Sequence, residues 1–174
     1  MKILKLNRKL IPVLGVIGIS IALVSAIAVA GHHEEKMGKA DRMDIVDTAV
    51  AAKNFSTLVA AVKEANLVEA LKGEGPYTLF APTDEAFAKI PKDKLNALLK
   101  DKKALTAVLT YHVVPASVTS GQVTTLKSAK TLQGQSVSID TSDGVKIDNA
   151  RVIKADIMAS NGIIHVIDEV IMPN

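Results

Sequence analysis

The chain has 174 residues, 48% of them apolar but only 3% aromatic, and contains no cysteine. That length suits one domain behind a short leader, with a core of aliphatic side chains; disulfides, thiolate chemistry, a zinc ribbon and a cysteine-linked lipid anchor are excluded, and stacking platforms for bases or sugars are scarce. Lys and Arg total 21 against 18 Asp and Glu, but Lys2, Lys5, Arg8 and Lys9 stand together at the start, and without those four the balance is 17 to 18, about −1 with neutral histidines. The clustered cationic excess that nucleic-acid phosphates require is therefore missing, and no nucleic acid is expected as a partner.

Residues 1–30 read as a secretory signal peptide, with a basic start, an apolar run from Ile11 to Ile27 and the small-x-small sequence Ala28-Val29-Ala30. The alternative is an uncleaved anchor, since Ile11 to Ala30 supplies the roughly 20 apolar residues that span a bilayer. Either reading places the remainder outside the cytoplasm, in a periplasm or the extracellular space, and membrane contact is expected only through an uncleaved leader. Residues 31–42, GHHEEKMGKADR, are charged and without apolar period, as in a flexible linker. Cleavage after Ala30 would expose Gly31-His32-His33, whose amine, two amide nitrogens and third-position imidazole suit square-planar Cu(II) or Ni(II). A solvated tail is the plainer reading, and no cofactor is expected.

From Asp44 a helical period places Ile45, Val46, Ala49 and Val50 on one side. A second helix carries Phe55, Leu58, Val59 and Val62 at i, i+3, i+4 and i+7, with Asn54 as its N-cap; Asn54-Phe55-Ser56 is also a glycosylation sequon, for which the cap is the preferred explanation. Leu67, Val68 and Leu71 continue the apolar face up to Gly73. After Gly75-Pro76 the stretch YTLFAPTDEAF, Tyr77 to Phe87, starts as a strand that Pro82 ends. Thr83 then caps a helix whose first turn holds Asp84 and Glu85.

Pro91 opens a further helix with Leu95, Leu98 and Leu99, and Asp101 caps another in which Leu105, Val108, Leu109 and His112 share one face. His112 reads as a satisfied core histidine, after which Val113-Val114-Pro115 leaves the helix as a strand. Beyond it the pattern is β: Val137 and Ile139 alternate with polar residues, turn at Ser142-Asp143-Gly144, and return through Val145 and Ile147. Ile157 to Ala159 and Ile163 to Ile167 flank Asn161-Gly162, and a last strand runs out through Val170-Ile171-Met172-Pro173. Helices first and strands later give an α+β class in a single domain, residues 43–174.

Three segments in order carry a family resemblance. YTLFAPTDEAF, Tyr111-His112 with Val-Val-Pro, and Gly162-Ile163-Ile164-His165-Val166-Ile167-Asp168 resemble the signatures of the fasciclin (FAS1) family over about Met43 to Met172. The resemblance implies a β-wedge of two small splayed sheets with helices packed on one side. It also implies adhesion, through contacts with a cell-surface protein or polysaccharide, by a monomer working without a cofactor. The family's Tyr-His segment falls on Tyr111 and His112, which either touch a partner or hold the fold. A second adhesion motif, Glu-Pro-Asp-Ile-Met, resembles Lys154-Ala155-Asp156-Ile157-Met158 and keeps Asp156, Ile157 and Met158. A carboxylate that steers, next to an aliphatic group that is desolvated, is a plausible recognition pair. Because some members carry pigments, a small apolar ligand in the wedge is the alternative function. No GxSxG, HExxH or Gly-rich phosphate loop is present, so no enzyme activity is expected.

Overall fold

In the computed structural model, which describes residues 42–173, the helices come first, as the sequence pattern indicates. Helices α1 (Ile45–Ala51), α2 (Ser56–Glu64) and α3 (Val68–Lys72) lead into strand β1 (Tyr77–Pro82). Helices α4 (Asp84–Ala88), α5 (Lys92–Lys100) and α6 (Lys102–Tyr111) follow, then β2 (Val113–Val114) and α7 (Ser120–Val123). The remainder is β3 (Ser128–Lys130), β4 (Ser136–Asp140), β5 (Lys146–Ile147), β6 (Ala150–Met158) and β7 (Gly162–Ile167).

The start signals at Asp44, Thr83 and Asp101 work as capping chemistry requires. Asp44 accepts from the N–H groups of Val46 and Asp47, Thr83 from that of Ala86, and Asp101 from those of Lys103 and Ala104. Asn54 does not cap α2. That helix begins one residue later, and its free N–H groups at Ser56 and Thr57 are taken by the Asp84 carboxylate at 3.1 and 2.7 Å, across 28 and 27 residues of chain. Asp84 thereby ties the β1–α4 turn to α2, while its own N–H donates to the Asn54 carbonyl at 3.0 Å. Burial disfavours its charge, yet the Thr57 and Ser56 donors prevail and hold its pKa below the ordinary carboxylate value. Val50, placed on the core side by the helical period, is 50% exposed, because at about 100° per residue it falls just outside the arc that Ile45, Ala49 and Val46 bury.

The seven strands form one hydrogen-bonded order, β2-β1-β7-β6-β5-β4-β3. The two small sheets implied by the resemblance are continuous through β6, which pairs with β5 at Ala150 and Arg151 and with β7 from Val152 to Met158. The hairpin inferred from Val137 to Ile147 forms, with Ile139 opposite Ile147. The segment from Val170 to Pro173 is not a strand, and α7 stands where only strands were expected.

Strands β1 and β7 lie in parallel register, Tyr77 with Gly162 through Pro82 with Ile167. Both faces of this central pair are covered, which explains why TLFA and IIHVI read as nearly unbroken apolar runs. Leu79, Ala81, Ile164 and Val166 belong to the core shared with α1, α2, α4 and α6. Phe80 and Ile167, alternating with them, pack with Val118, Val123, Val137, Ile147 and Ile171 in a second cluster. Two polar side chains buried at this sheet are satisfied: Thr78 Oγ donates to the Ala116 carbonyl and accepts from Val118 N–H, while His165 Nε2 donates to the Val118 carbonyl. The loop from β2 to α7 is pinned by these bonds.

Candidate interaction surface

The α6 stripe that ends at His112 carries Tyr111 and His112 into the interior. Tyr111 is 4% and His112 1% exposed, so neither side chain is presented to a partner. The Tyr111 hydroxyl donates to Asp148 Oδ2 at 2.9 Å, and Asp148 Oδ1 accepts from Ser138 N–H at 2.7 Å. Burial, reinforced by the Asp148 carboxylate, pushes the phenol up to about 12. Both nitrogens of the His112 ring bond to backbone: Ile171 N–H donates to Nε2 at 3.3 Å, which leaves Nδ1–H to donate to the Val108 carbonyl at 2.7 Å. Removal from water lowers its pKa to about 4, against the pull of the Val108 bond and the Asp148 charge. The pair ties α6 to the β5–β6 turn and to the final segment.

The second predicted group is divided among three tasks. Asp156 is exposed, but its carboxylate accepts from Ser120 N–H at 2.8 Å and from the Ser120 hydroxyl. It closes the start of α7 together with a capping box of Thr119 and Gln122. The Ser120 hydroxyl, then the Ser120 amide, hold its pKa below the usual carboxylate value. Asp156 has φ +57°, a left-handed conformation that Asp tolerates better than most residues. Ile157 is half-buried against the helical core, and Met158 is 47% exposed beside a cleft of about 230 Å³ lined in part by Pro76, Ser117 and Gly162. Among the described residues, Tyr111 and His112 share no hydrogen bond with Asp156, Ile157 or Met158. Gly31, His32 and His33, and the leader, lie outside the described residues.

This geometry makes Asp156→Ala a stability variant. It removes two bonds and puts alanine in the left-handed region, so a loss of about 1–2 kcal/mol is expected in urea denaturation. Asp156→Asn keeps one acceptor and the tolerance for that backbone, and should lose less than half as much. Equal stability of the alanine variant and the wild type would remove the capping role.

A second feature went unread in the sequence. Where β6 crosses from β5 to β7 its register slips between Val152 and Lys154, so Ile153 is an extra residue in the ladder and 56% exposed. It borders a cleft of about 320 Å³ whose other walls are Lys53 and Asn54 together with Thr83, Asp84 and Glu85, the last three within the stretch from Tyr77 to Phe87. Neither a bulge nor a cleft between residues a hundred positions apart has a local sequence signature. The Thr119-x-x-Gln122 box, in contrast, was available as a helix-start signal.

Comparison with known proteins gives concordant matches. The Fasciclin domain family profile matches residues 53–173. The chain is 52% identical over 134 residues to the Synechocystis protein sll1483, covering 75% of this chain and 74% of that protein. It is 40% identical over 130 residues to the transforming growth factor-beta-induced protein ig-h3 of Sus scrofa, covering 74% of this chain and 19% of that one. A solved FAS1 domain pair from the insect cell adhesion molecule fasciclin I aligns with a TM-score of 0.47 and 20% identity, over 72% of this chain and 43% of the other.

Proposed function

We propose, from the premise that this chain belongs to the fasciclin domain family, that it is an adhesion module acting outside the cytoplasm, holding a cell-surface protein or polysaccharide by exposed side chains. The observation that carries this reading is the family match itself, which runs from residue 53 to residue 173 and so takes in nearly the whole described domain. Among the described residues no helix is long and apolar enough to cross a membrane.

Surface contact is favoured over carriage of an apolar ligand by how the wedge is filled. Val137, Ile147, Ala150, Ile167 and Ile171 are all 0% exposed, and they occupy the space between the sheet's two limbs with the protein's own side chains. With Tyr111 and His112 enclosed and the Asp156 carboxylate bonded to Ser120, contact falls to other exposed groups on β6 and around it.

Beads coated with the purified protein should attach to cells of the organism that makes it, several-fold above albumin-coated beads, and soluble protein should compete. Attachment no greater than the albumin control would overturn the reading.

A further inference from the structure

We infer that the cleft at the β6 bulge is the contact site for a protein partner, which seats an apolar side chain on Ile153, a basic residue at Glu85 and a carboxylate at Lys53. This deepens the adhesion reading and rests on it.

Ile153 is the most exposed of the large apolar side chains described. It reaches that position because of a bulge, and bulges re-aim a side chain at a fixed place in a sheet. Beside it, among the described residues, the side chains of Lys53, Asn54 and Glu85 make no hydrogen bond or ion pair, a state they share with other surface charges such as Lys63, Lys103 and Glu69, so both signs of charge at the cleft are open to a partner. An apolar anchor with unsatisfied charges of both signs around it has the composition of a small contact patch: the centre is desolvated, and the rim sets orientation and partner choice.

The walls are held in place before any partner arrives. Asp84 receives the amides of Ser56 and Thr57 and donates its own N–H to Asn54, so the two loops that face each other across the cleft are tied together. Pre-ordering of this kind reduces the entropy lost on binding.

The chemistry selects a protein over a glycan. No aromatic residue lines the cleft, so there is no face on which a sugar ring could stack, whereas an exposed isoleucine is matched by an aliphatic or aromatic side chain. Strand addition to the side of β6 that β5 leaves open beyond Arg151 is disfavoured: the register slips twice, Lys154 sits on the strand, and Asp156 adopts φ +57°, all of which interrupt pairing there. The partner therefore docks by side chains.

The test uses attachment of beads carrying wild type, Ile153→Asp or Glu85→Gln to cells of the source organism, untreated, protease-shaved or periodate-oxidised. Ile153→Asp should cut attachment at least tenfold and Glu85→Gln about threefold, both with melting temperatures within about 2 °C of wild type, since both side chains are exposed. Shaving should abolish wild-type attachment and periodate should leave it. Wild-type attachment that Ile153→Asp does not reduce overturns the site while adhesion stands. Attachment lost to periodate but not to protease overturns the partner class in favour of polysaccharide. No wild-type attachment overturns both the site and the adhesion reading.

Discussion

Gly162→Ala should destabilise the domain by about 3–5 kcal/mol and lower its melting temperature on the order of 10–20 °C. The cause is proximity, since a Cβ at this position would lie 2.2 Å from the Tyr77 carbonyl oxygen, 3.0 Å from its carbon and 3.2 Å from the Tyr77 nitrogen. All three are backbone atoms, which cannot turn aside as a flexible side chain can. Tyr77 and Gly162 are also the first register pair of β1 and β7, so moving either shifts the central parallel pair that separates the two cores. The junction is held from several sides. Tyr77 N–H donates to the Asn161 carbonyl at 3.0 Å, and the Asn161 side chain accepts from Ile45 N–H and donates to the Leu71 and Gly73 carbonyls. A shift at Gly162 therefore disturbs the start of α1 and the end of α3 as well. Gly121→Ala is the matched control: nothing lies within 4 Å of its Cβ, it sits in α7, and alanine there should be neutral or slightly stabilising. Equal melting temperatures for the two variants would show that β1 and β7 do not approach this closely.

How far the sequence could be read follows from the range of the interactions involved. Thr83, Asp101 and Asp44 cap their helices through bonds that reach two or three residues along the chain, and such signals are visible in a local pattern. The α2 start was misread at Asn54 because its donors are satisfied by Asp84, a residue whose role becomes apparent only when the fold brings it back. Likewise His112 was legible as a core residue from its place on the Leu105, Val108 and Leu109 face, whereas nothing near Tyr111 in sequence announces Asp148 as its partner. Asp156 shows the same limit at the candidate surface. Its polarity and its place in a family motif made it a recognition residue, but its carboxylate is engaged by Ser120, 36 residues earlier. Ile153, an ordinary strand residue by composition, stands out only because the ladder slips beside it.

His112 gives the chain a stability that depends on acidity in a direction its geometry fixes. The folded protein holds the ring neutral, with a pKa of about 4 against an ordinary 6.5, because the site is removed from water and Nε2 must stay unprotonated to accept from Ile171 N–H. Between those two values the unfolded chain carries a proton here that the folded chain does not, so stability rises with pH across this window. It is complete above pH 6.5, falls progressively toward pH 4 and changes no further below it on this account. The total is about 3 kcal/mol for a shift of this size. His112→Gln removes the titration, so urea denaturation at pH 7.5 and 4.5 should show the wild type losing about 2–3 kcal/mol more than the variant between the two conditions. Carboxylates such as Asp84 and Asp156, whose lowered pKa values also make stability fall with acid, are common to both proteins and cancel in that difference. Equal losses in the two proteins would mean that His112 is not held neutral. Because the ring is enclosed, His112→Ala should lower the melting temperature while attachment per folded molecule is retained; the reverse, an unchanged melting temperature with attachment abolished, would return His112 to the contact surface.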